Sequence, residues 1–534
     1  MQETIWYNGT ILTMEDSKKK AQAVLVRDGI ITAVGNLCEV ESKKQTQANY
    51  ISLQGKTMLP GFIDAHSHLT AFAQTLGVAS LSDVTSIPEI MQRLQSFQMQ
   101  REIKPGQWIV GVGYDHNFVE EKRHPNKLDL DMFIENPVMV VHASGHMGVT
   151  NSLGLEKLGL NQDTPNPEGG TFGRMPDGKQ LDGYMEENAF LANSKEVLQL
   201  GTEKIRELLE QAQQEYLKRG ITTVQDGLVK EKEFTMLKQH EWIVDVIGYV
   251  DIMENRQVME QNPDYVQNYQ NGFKLGGYKL ILDGSPQGKT AWMSRPYEGE
   301  KDDRGYPTHS NQQVEEAVEL ALSQNIQLLT HCNGDAAADQ LLTAFEIAER
   351  KYTNTIRPVM IHAQTIRYDQ LDKMKKLGII PSYFIAHIYY WGDIHLKNLG
   401  KRADTISPAK TTIQKQILYT FHQDTPVILP NMLETIWCSV NRKTKQEVVL
   451  GEQERIEVYE ALKAVTINAA YQYFEQDKKG SIKEGKIADF VILDQNPLEI
   501  EKEKIKDIQV LETIRKGKSV YQNKEQTIIK KNII

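Results

Sequence analysis

The feature that most constrains the fold is a repeated alternation of strand-like and helix-like segments between Pro60 and about Glu475. Apolar runs such as ITTVQD, YKLILDGS, IQLLTHC and PVMIHA alternate with amphipathic segments such as EEAVELALSQN and DQLLTAFEIAERKY. Repeated βα units of this length predict a parallel sheet. So many units in one chain favour an α/β fold of the (β/α)8 TIM barrel type over an open sheet.

Strand-like segments with turn signals occupy both ends of the chain. Examples are AVLVRDGIITAVGN near the start and GKIADFVILD near the end. We therefore expect a composite β-sandwich domain from residues 1–59 and 476–534, around a barrel of residues 60–475. Two unrelated β extensions are the alternative. Between about residues 80 and 195, stretches such as NPEGGTFGRMPDGK break the alternation, which predicts an inserted lid region over the barrel mouth.

Composition and charge exclude several classes of protein. The 534 residues include 61 basic and 71 acidic side chains, and this acidic balance argues against nucleic acid or an anionic membrane as the main partner. Three cysteines without a CxxC pair cannot build a disulfide framework or a thiolate zinc site. The first residues lack a signal-peptide pattern and no apolar run reaches 18 residues, so we expect a cytoplasmic protein. A homodimer is expected because such dimers are the commonest oligomers.

The segment LPGFIDAHSHLTAF carries the strongest chemical signal. Successive side chains of a strand point to opposite sides, so His66 and His68 point to the same side. Two imidazoles placed in this way can bind one divalent metal and leave positions open for water. A single histidine in an apolar strand is usually a core residue, but a pair at this spacing favours a metal site.

Further titratable residues follow other predicted strands. His331 ends IQLLTH, His362 ends PVMIH, and Asp424 follows ILYTFHQ. The carboxyl ends of barrel strands are where active sites gather, and burying such groups unpaired is costly. Asp424 suits a double role as metal ligand and as proton acceptor from a metal-bound water. Lys279 in YKLILDGS is either a lysine paired with an acid such as Asp283 or a carbamylated lysine that bridges two metals.

Together these segments resemble the metal-dependent amidohydrolase superfamily. The similarity also includes LLTHCNGDAA, HQDTPV, KGSIKEGKIADFVILDQNP, SGHMGVTNSLGL and PSYFIAHIYYWGD. It is closest to the amidohydrolase family 3 branch, which contains N-substituted formamide deformylase. The resemblance implies a TIM barrel and a set of metal ligands at His66, His68, Lys279, His331, His362 and Asp424. In this comparison Lys279 occupies the position of the carbamylated lysine, and Asp424 that of the aspartate that deprotonates the hydrolytic water.

The chain departs from its relatives near the predicted substrate pocket. Ser144 precedes Gly145 and His146 where relatives often have Asp-Gly-His, and Gln423 stands where serine is frequent. His146 and His387 are candidates for stabilising the oxyanion that develops on a substrate carbonyl. The remaining histidines are interpreted as surface or core residues, although His422 shares the strand face of Asp424.

These patterns predict hydrolysis of a C–N bond in a small amide-like substrate, with N-substituted formamides as candidates. One or two divalent cations, with zinc foremost, would activate the water. The alternative is a deaminase of the same superfamily that acts on an amidine or heterocyclic base, but its His-x-x-Glu pattern is absent after His331. Two other classes are a non-catalytic assembly barrel and a barrel glycosidase, which needs only two carboxylates. Neither accounts for the filled histidine positions.

Overall fold

Strands of three sheets are distributed along the whole chain. The computed structural model describes residues 3–16, 20–198 and 201–523. Within these ranges the strands are β1 (Glu3–Leu12), β2 (Lys20–Arg27), β3 (Ile30–Gly35), β4 (Asn49–Ser52), β5 (Thr57–Pro60), β6 (Phe62–Ile63), β7 (Ala79–Ser80), β8 (Ile109–Tyr114), β9 (Val138–His142), β10 (Met147–Thr150), β11 (Gly170–Arg174), β12 (Leu181–Glu187), β13 (Ile221–Val229), β14 (Asp245–Asp251), β15 (Phe273–Ile281), β16 (Gln327–Cys332), β17 (Val359–His362), β18 (Ile380–Tyr383), β19 (Thr420–Phe421), β20 (Phe490–Leu493), β21 (Val510–Arg515) and β22 (Lys518–Gln522).

Helices separate most of the strands. They are α1 (Leu37–Ser42), α2 (Leu69–Thr75), α3 (Ile87–Gln100), α4 (Lys127–Leu130), α5 (Ser152–Lys157), α6 (Asn188–Leu198), α7 (Thr202–Lys218), α8 (Glu231–Lys238), α9 (Gln257–Gln261), α10 (Asn311–Ser323), α11 (Asp335–Ala348), α12 (Tyr368–Lys376), α13 (His387–Leu399), α14 (Ala409–Gln414), α15 (Met432–Asn441), α16 (Val458–Ala464) and α17 (Ile467–Gln472). Short 3₁₀ helices cover Pro263–Tyr265, Gly400–Thr405, Glu452–Glu454 and Lys502–Asp507.

Eight parallel strands form the central sheet, in the order β6, β13, β14, β15, β16, β17, β18 and β19. Its two edges meet just beyond the first and last strands. The amide of Asp424 donates to the carbonyl of His66 at 3.1 Å, and the amide of His68 donates to the carbonyl of Thr425 at 2.8 Å. The prediction of a TIM-barrel-like α/β fold is confirmed.

The barrel strands and their helices follow the expected sequence rules. Strand β15 is almost continuously buried because helices cover one face and the barrel interior the other. Helix α10 begins with a capping box in which Ser310 and Gln313 satisfy each other's free amides. Its apolar positions, such as Val314 and Val318, are buried. This regular framework places the carboxyl ends of the strands next to one another.

A second sheet joins the two ends of the chain. Its order is β22, β21, β20, β5, β1, β2 and β3, and β4 pairs with β1. Strands β5 and β20 are antiparallel neighbours, with Pro60 opposite Phe490. The domain limits 1–59 and 476–534 and the sandwich layering stay predictions. Residues 1–2, 17–19 and 524–534 lie outside the described part of the chain.

Residues 71–212 form a compact unit with its own sheet. The strand order is β11, β12, β10, β9, β8 and β7, and β7, β8 and β9 are parallel. Val138 and Val140 belong to one apolar cluster, and Met139 and Val141 to another, because alternate side chains of β9 face opposite sides. The predicted insertion at about 80–195 falls within this unit, and its action as a lid stays a prediction. In the described ranges, no helix is long and apolar enough to cross a membrane.

Candidate metal centre at the carboxyl ends of the barrel strands

The predicted ligands lie on or directly after strands of the barrel. His66 and His68 follow β6, and Asp424 follows β19. The others are on their strands: Lys279 in β15, His331 in β16 and His362 at the end of β17. The regular strand order therefore carries residues separated by up to 358 positions in the sequence to one end of the barrel.

Asp424 is at the centre of this group. Its Oδ1 lies 3.3 Å from Nε2 of both His66 and His68, and its Oδ2 lies 3.9 Å from Nε2 of His362. Oδ1 is buried, yet neither histidine contact has the geometry of a hydrogen bond. The Nζ of Lys279 lies 3.1 Å from Nε2 of His66. Three potential ligand atoms, from His66, His362 and Asp424, all lie within 4.8 Å of one another.

The supports of His66 determine which ring nitrogen faces the cluster. Its Nδ1 is 2.5 Å from Oε1 of Gln225. The Nε2 of Gln225 donates to the carbonyl of Ala65 and to the hydroxyl of Tyr473, both at 2.9 Å, so its Oε1 is the acceptor for His66. The proton of His66 is therefore on Nδ1, and the lone pair of Nε2 points toward Asp424 and Lys279.

His362 connects two more histidines to the cluster. Its Nε2 is 3.0 Å from Nδ1 of His331, and its Nδ1 is 3.2 Å from Nε2 of His422. Ser382 of β18 holds the other nitrogen of His422 at 2.9 Å. The sequence predicts a core or surface residue at His422, but the structure places it within the cluster. The available signal was its position two residues before Asp424, on the same face of the strand.

Burial sets the protonation states of these groups. Together with the charge of Lys279, it lowers the pKa of His66 to about 3 and that of His331 to about 4. Burial also lowers the pKa of Lys279 to about 7. For Asp424, burial alone would raise the pKa, but the facing His66 and His68 hold it well below its usual range. Neutral imidazoles of His66 and His331 thus lie in one cluster with the ionised carboxylate of Asp424, which is the state that binds a cation.

The alternative pairing of Lys279 with Asp283 does not occur in the structure. The carboxylate of Asp283 accepts backbone N–H groups of Trp292 at 2.9 Å, Asn333 at 2.9 Å and Gly334 at 2.7 Å. Lys279 points instead to His66. Asp283 therefore organises the loops beside the cluster, and Lys279 remains available to it.

The two pocket candidates have different surroundings. His146 lies in the unit of residues 71–212, where its exposed ring is 3.1 Å from Glu187. His387 is buried at the start of α13, with its Nδ1 3.0 Å from Nε2 of His395. The ring of Phe384 packs against the rings of His387 and His422, with distances between ring centroids of 4.7 Å and 5.5 Å. Roles of His146 and His387 in catalysis stay predictions.

Two ligand candidates have unusual backbone conformations. His362 has φ of 71° and Asp424 has φ of 53°, in the left-handed region that side chains other than glycine rarely adopt. Such conformations cost about 1–3 kcal/mol and are concentrated at functional sites. The strand ends turn sharply at these residues, with the side chains directed into the same cluster.

The chemistry of this group fits a divalent cation. Four side chains converge on one region. They are Asp424 with its unpaired Oδ1, His66 with its Nε2 lone pair oriented by Gln225, and the imidazoles of His68 and His362. Imidazole and carboxylate are ligands of zinc and of several other first-row metals. Facing lone pairs repel one another, so a cation between them would stabilise this arrangement.

Comparison with known proteins agrees with this chemistry. The amidohydrolase family profile matches residues 49–521. N-substituted formamide deformylase of Arthrobacter pascens is 26% identical, over 97% of this chain and 98% of that protein. The protein LONG AFTER FAR-RED 3 of Arabidopsis thaliana is 28% identical, over 96% of this chain and 91% of that protein. The solved structure of a metal-dependent hydrolase from Pyrococcus furiosus superposes with a TM-score of 0.74 at 25% identity, covering 93% of this chain and all of that one.

Proposed function

The chain belongs to the amidohydrolase family and is a hydrolase of C–N bonds other than peptide bonds, and on this basis we propose that it cleaves small amide-like substrates. N-substituted formamides are the first substrate class to test. The observation that carries the proposal is the convergence of His66, His68 and His362 on the ionised, buried carboxylate of Asp424.

His66, His68, Lys279, His331, His362 and Asp424 are proposed to hold one or two divalent cations. Zinc is the foremost candidate because the donors are imidazoles and a carboxylate. A bound cation of this type lowers the pKa of a water molecule and polarises a carbonyl group. The backbone positions of His66 and Asp424 are coupled by the hydrogen bond between them, so the first and last strands carry the ligands as one rigid pair.

Asp424 is proposed as the general base and then the general acid. Its Oδ1 is a buried carboxylate oxygen without a hydrogen-bond donor, and it lies within the cluster, so it can accept the proton of the attacking water. The water oxygen forms a bond to the carbonyl carbon, the C–N bond breaks, and Asp424 returns the proton to the leaving amine. For a formamide, the products are formate and a primary amine.

Lys279 is proposed to carry a carbamate formed with CO2. Only a neutral amine attacks CO2, and burial lowers the pKa of Lys279 to about 7, so a substantial neutral fraction exists at neutral pH. The resulting carboxylate would add an oxygen ligand beside Nε2 of His66. Protein incubated with ¹³C-bicarbonate should give a carbamate ¹³C resonance that is absent from the Lys279→Met variant. A spectrum identical to that of the variant contradicts the modification.

The function is tested with metal-supplemented protein and a panel of N-alkyl and N-aryl formamides. We expect formate and amine to appear in equal amounts, and neither to appear with His66→Ala/His68→Ala. A His309→Ala variant, changed at a histidine outside the cluster, should retain the activity. Ammonia released from amidines or heterocyclic bases, without formate from any formamide, would support the deaminase alternative instead.

A further inference from the structure

A second group of histidines lies outside the barrel, in the unit of residues 71–212. Strands β8 and β9 are parallel neighbours, and Tyr114 is paired with His142 at their carboxyl ends. Asp115 and His116 directly follow β8, and His142 is the last residue of β9. The strand pairing therefore brings one carboxylate and two imidazoles to the same edge of this sheet.

Three ligand atoms form a nearly regular triangle. Nδ1 of His116 lies 3.3 Å from Nε2 of His142, and Oδ1 of Asp115 lies 3.4 Å from that Nε2 and 3.7 Å from the His116 Nδ1. Ligands at 2.0–2.1 Å from a tetrahedral zinc ion are separated by about 3.3 Å. The triangle thus has almost the dimensions of one face of a tetrahedral site before any ion is added.

We propose that Asp115, His116 and His142 form a second binding site for a divalent transition-metal ion, with zinc as its natural occupant. Two imidazole nitrogens and one carboxylate oxygen are a donor set that zinc commonly takes. The side chains of Asp115 and His116 are 25% and 31% exposed. Solvent therefore reaches the site, and the fourth position is open to water.

Neighbouring groups hold the three ligands in place. Asp115 Oδ1 accepts the backbone and side-chain N–H groups of Asn117 at 2.8 and 3.0 Å, and the Asn117 backbone amide is the main reason that its pKa is lowered. The ring of His124 packs on His116 at 4.0 Å, and the hydroxyl of Tyr114 is 3.0 Å from His124 Nδ1. Such outer contacts fix ligand orientation in metal sites.

The proton position on His142 separates a metal site from a simple ion pair. Its Nδ1 accepts the backbone N–H of Ser144 at 3.1 Å, and the hydroxyl of Ser144 lies 3.0 Å from the same nitrogen. In this arrangement the proton of the neutral ring is on Nε2 and faces the Asp115 carboxylate. A metal ion at Nε2 takes the place of that proton, and the ring then carries its proton on Nδ1 and donates to the Ser144 hydroxyl. The proposal therefore requires the Ser144 amide to turn away from His142 when the ion binds.

The test uses the full-length chain, without a polyhistidine tag, in a His66→Ala/His68→Ala background that disables the barrel cluster. After treatment with chelator and dialysis, Co2+ is added while visible absorption and bound metal are measured. We expect one tightly bound equivalent in this background. Adding His116→Gln/His142→Gln should remove it, whereas adding His309→Gln should not. The readout is independent of catalysis, so the site can fail while the proposed function stands, and the reverse.

Two outcomes of this titration overturn the second site. One is a bound equivalent that is unchanged by His116→Gln/His142→Gln, and the other is the absence of tight binding in a background whose circular dichroism is native. If the double variant does not fold, Asp115→Asn replaces it, because it preserves the side-chain volume and only weakens the oxygen ligand. We then expect Co2+ affinity to fall by at least about 10-fold, on the scale of losses at metal-site partners. Unchanged affinity in Asp115→Asn likewise overturns the site.

Discussion

At the scale of single residues, the barrel cluster depends on side chains that are not ligands themselves. Gln225 fixes the tautomer of His66. The orientation of the Gln225 amide is fixed in turn by its hydrogen bonds to Ala65 and Tyr473. Tyr473 also donates to the carbonyl of Asp64 at 2.8 Å. A ligand histidine whose second nitrogen is already hydrogen-bonded loses less freedom on binding a metal, so we assign Gln225 a positioning role in the proposed centre.

Replacing Gln225 with methionine should weaken metal binding. The change removes the acceptor for His66 Nδ1, and the affinity of the barrel site should fall by about 10–100-fold. The measurement is a Co2+ titration in a His116→Gln/His142→Gln background. Gln327→Met is the matched control. Gln327 is also buried, but it is the first residue of β16 and its Oε1 accepts a hydrogen bond from the hydroxyl of Tyr249. Equal losses in both variants would mean that general destabilisation, and not the orientation of His66, is responsible.

Asp424→Asn should separate metal binding from proton transfer. An amide keeps one oxygen as a ligand, but it cannot accept the proton of water. We expect kcat for the substrate found in the formamide panel to fall by about 10²–10⁴-fold, with metal still bound at saturating concentration. Asp372→Asn, at an exposed carboxylate, provides the control. Full activity of Asp424→Asn with metal bound would show that another group is the base.

At the scale of elements, buried polar side chains connect the loops to the strands. The carboxylate of Asp283 accepts hydrogen bonds from three backbone N–H groups, one at Trp292 and two just before α11, at Asn333 and Gly334. The side-chain N–H of Gln423 donates to the carbonyl of Asn431, the N-cap of α15, and its Oε1 accepts the backbone N–H of the same residue. These contacts satisfy the polar atoms of a glutamine that is fully buried next to the proposed metal centre.

Asp283→Ala should destabilise the barrel strongly. Three buried amides would lose their acceptor, and each unsatisfied group costs about 1–3 kcal/mol. We expect the melting temperature to fall well below that of Asp251→Ala, whose carboxylate accepts one backbone amide, that of Met253. Differential scanning calorimetry of both variants checks the order. Similar melting temperatures would argue that the amides find water or other acceptors.

At the scale of the whole chain, a buried ion network ties the terminal sheet to the barrel. Arg515 of β21 pairs with Asp489 and with Asp245, the first residue of β14. Lys479 also pairs with Asp245, and with Glu475 at 2.9 Å. Leaving a partner of such a network unpaired is costly, about 3–5 kcal/mol. The network therefore couples the packing of the chain ends to the amino-terminal side of the barrel.

The network gives stability a defined dependence on acid. Burial alone would raise the pKa of Asp245, but Arg515 and Lys479 lower it to about 2 from an ordinary value of 3.8. A lowered folded-state pKa contributes stability that is present above pH 4 and is lost as pH falls toward 2. The difference in melting temperature between the native chain and Asp245→Asn should therefore shrink across this interval. A constant difference would assign the acid sensitivity to other carboxylates.

Much of the architecture could be predicted from local patterns. The alternation of apolar and amphipathic segments indicated the barrel, because parallel strands buried on both faces need continuous apolar runs. The His-x-His spacing indicated two imidazoles on one side, since strand side chains alternate. Strand-end positions indicated His331, His362 and Asp424 as their companions. Each of these inferences uses neighbours in sequence, or a rule that all strands of one sheet obey.

The remaining features were decided by tertiary structure. Gln225 and Tyr473, which support His66, are 159 and 407 positions away from it, and no local period connects them. The sequence alone indicates a surface or core position for His422, His116 and His142, and the strand order and register bring each of them into a cluster. Sequence spacing determines which face of an element a side chain occupies. Which faces meet, and at what distance, depends on strand order and register, and these are properties of the packed chain.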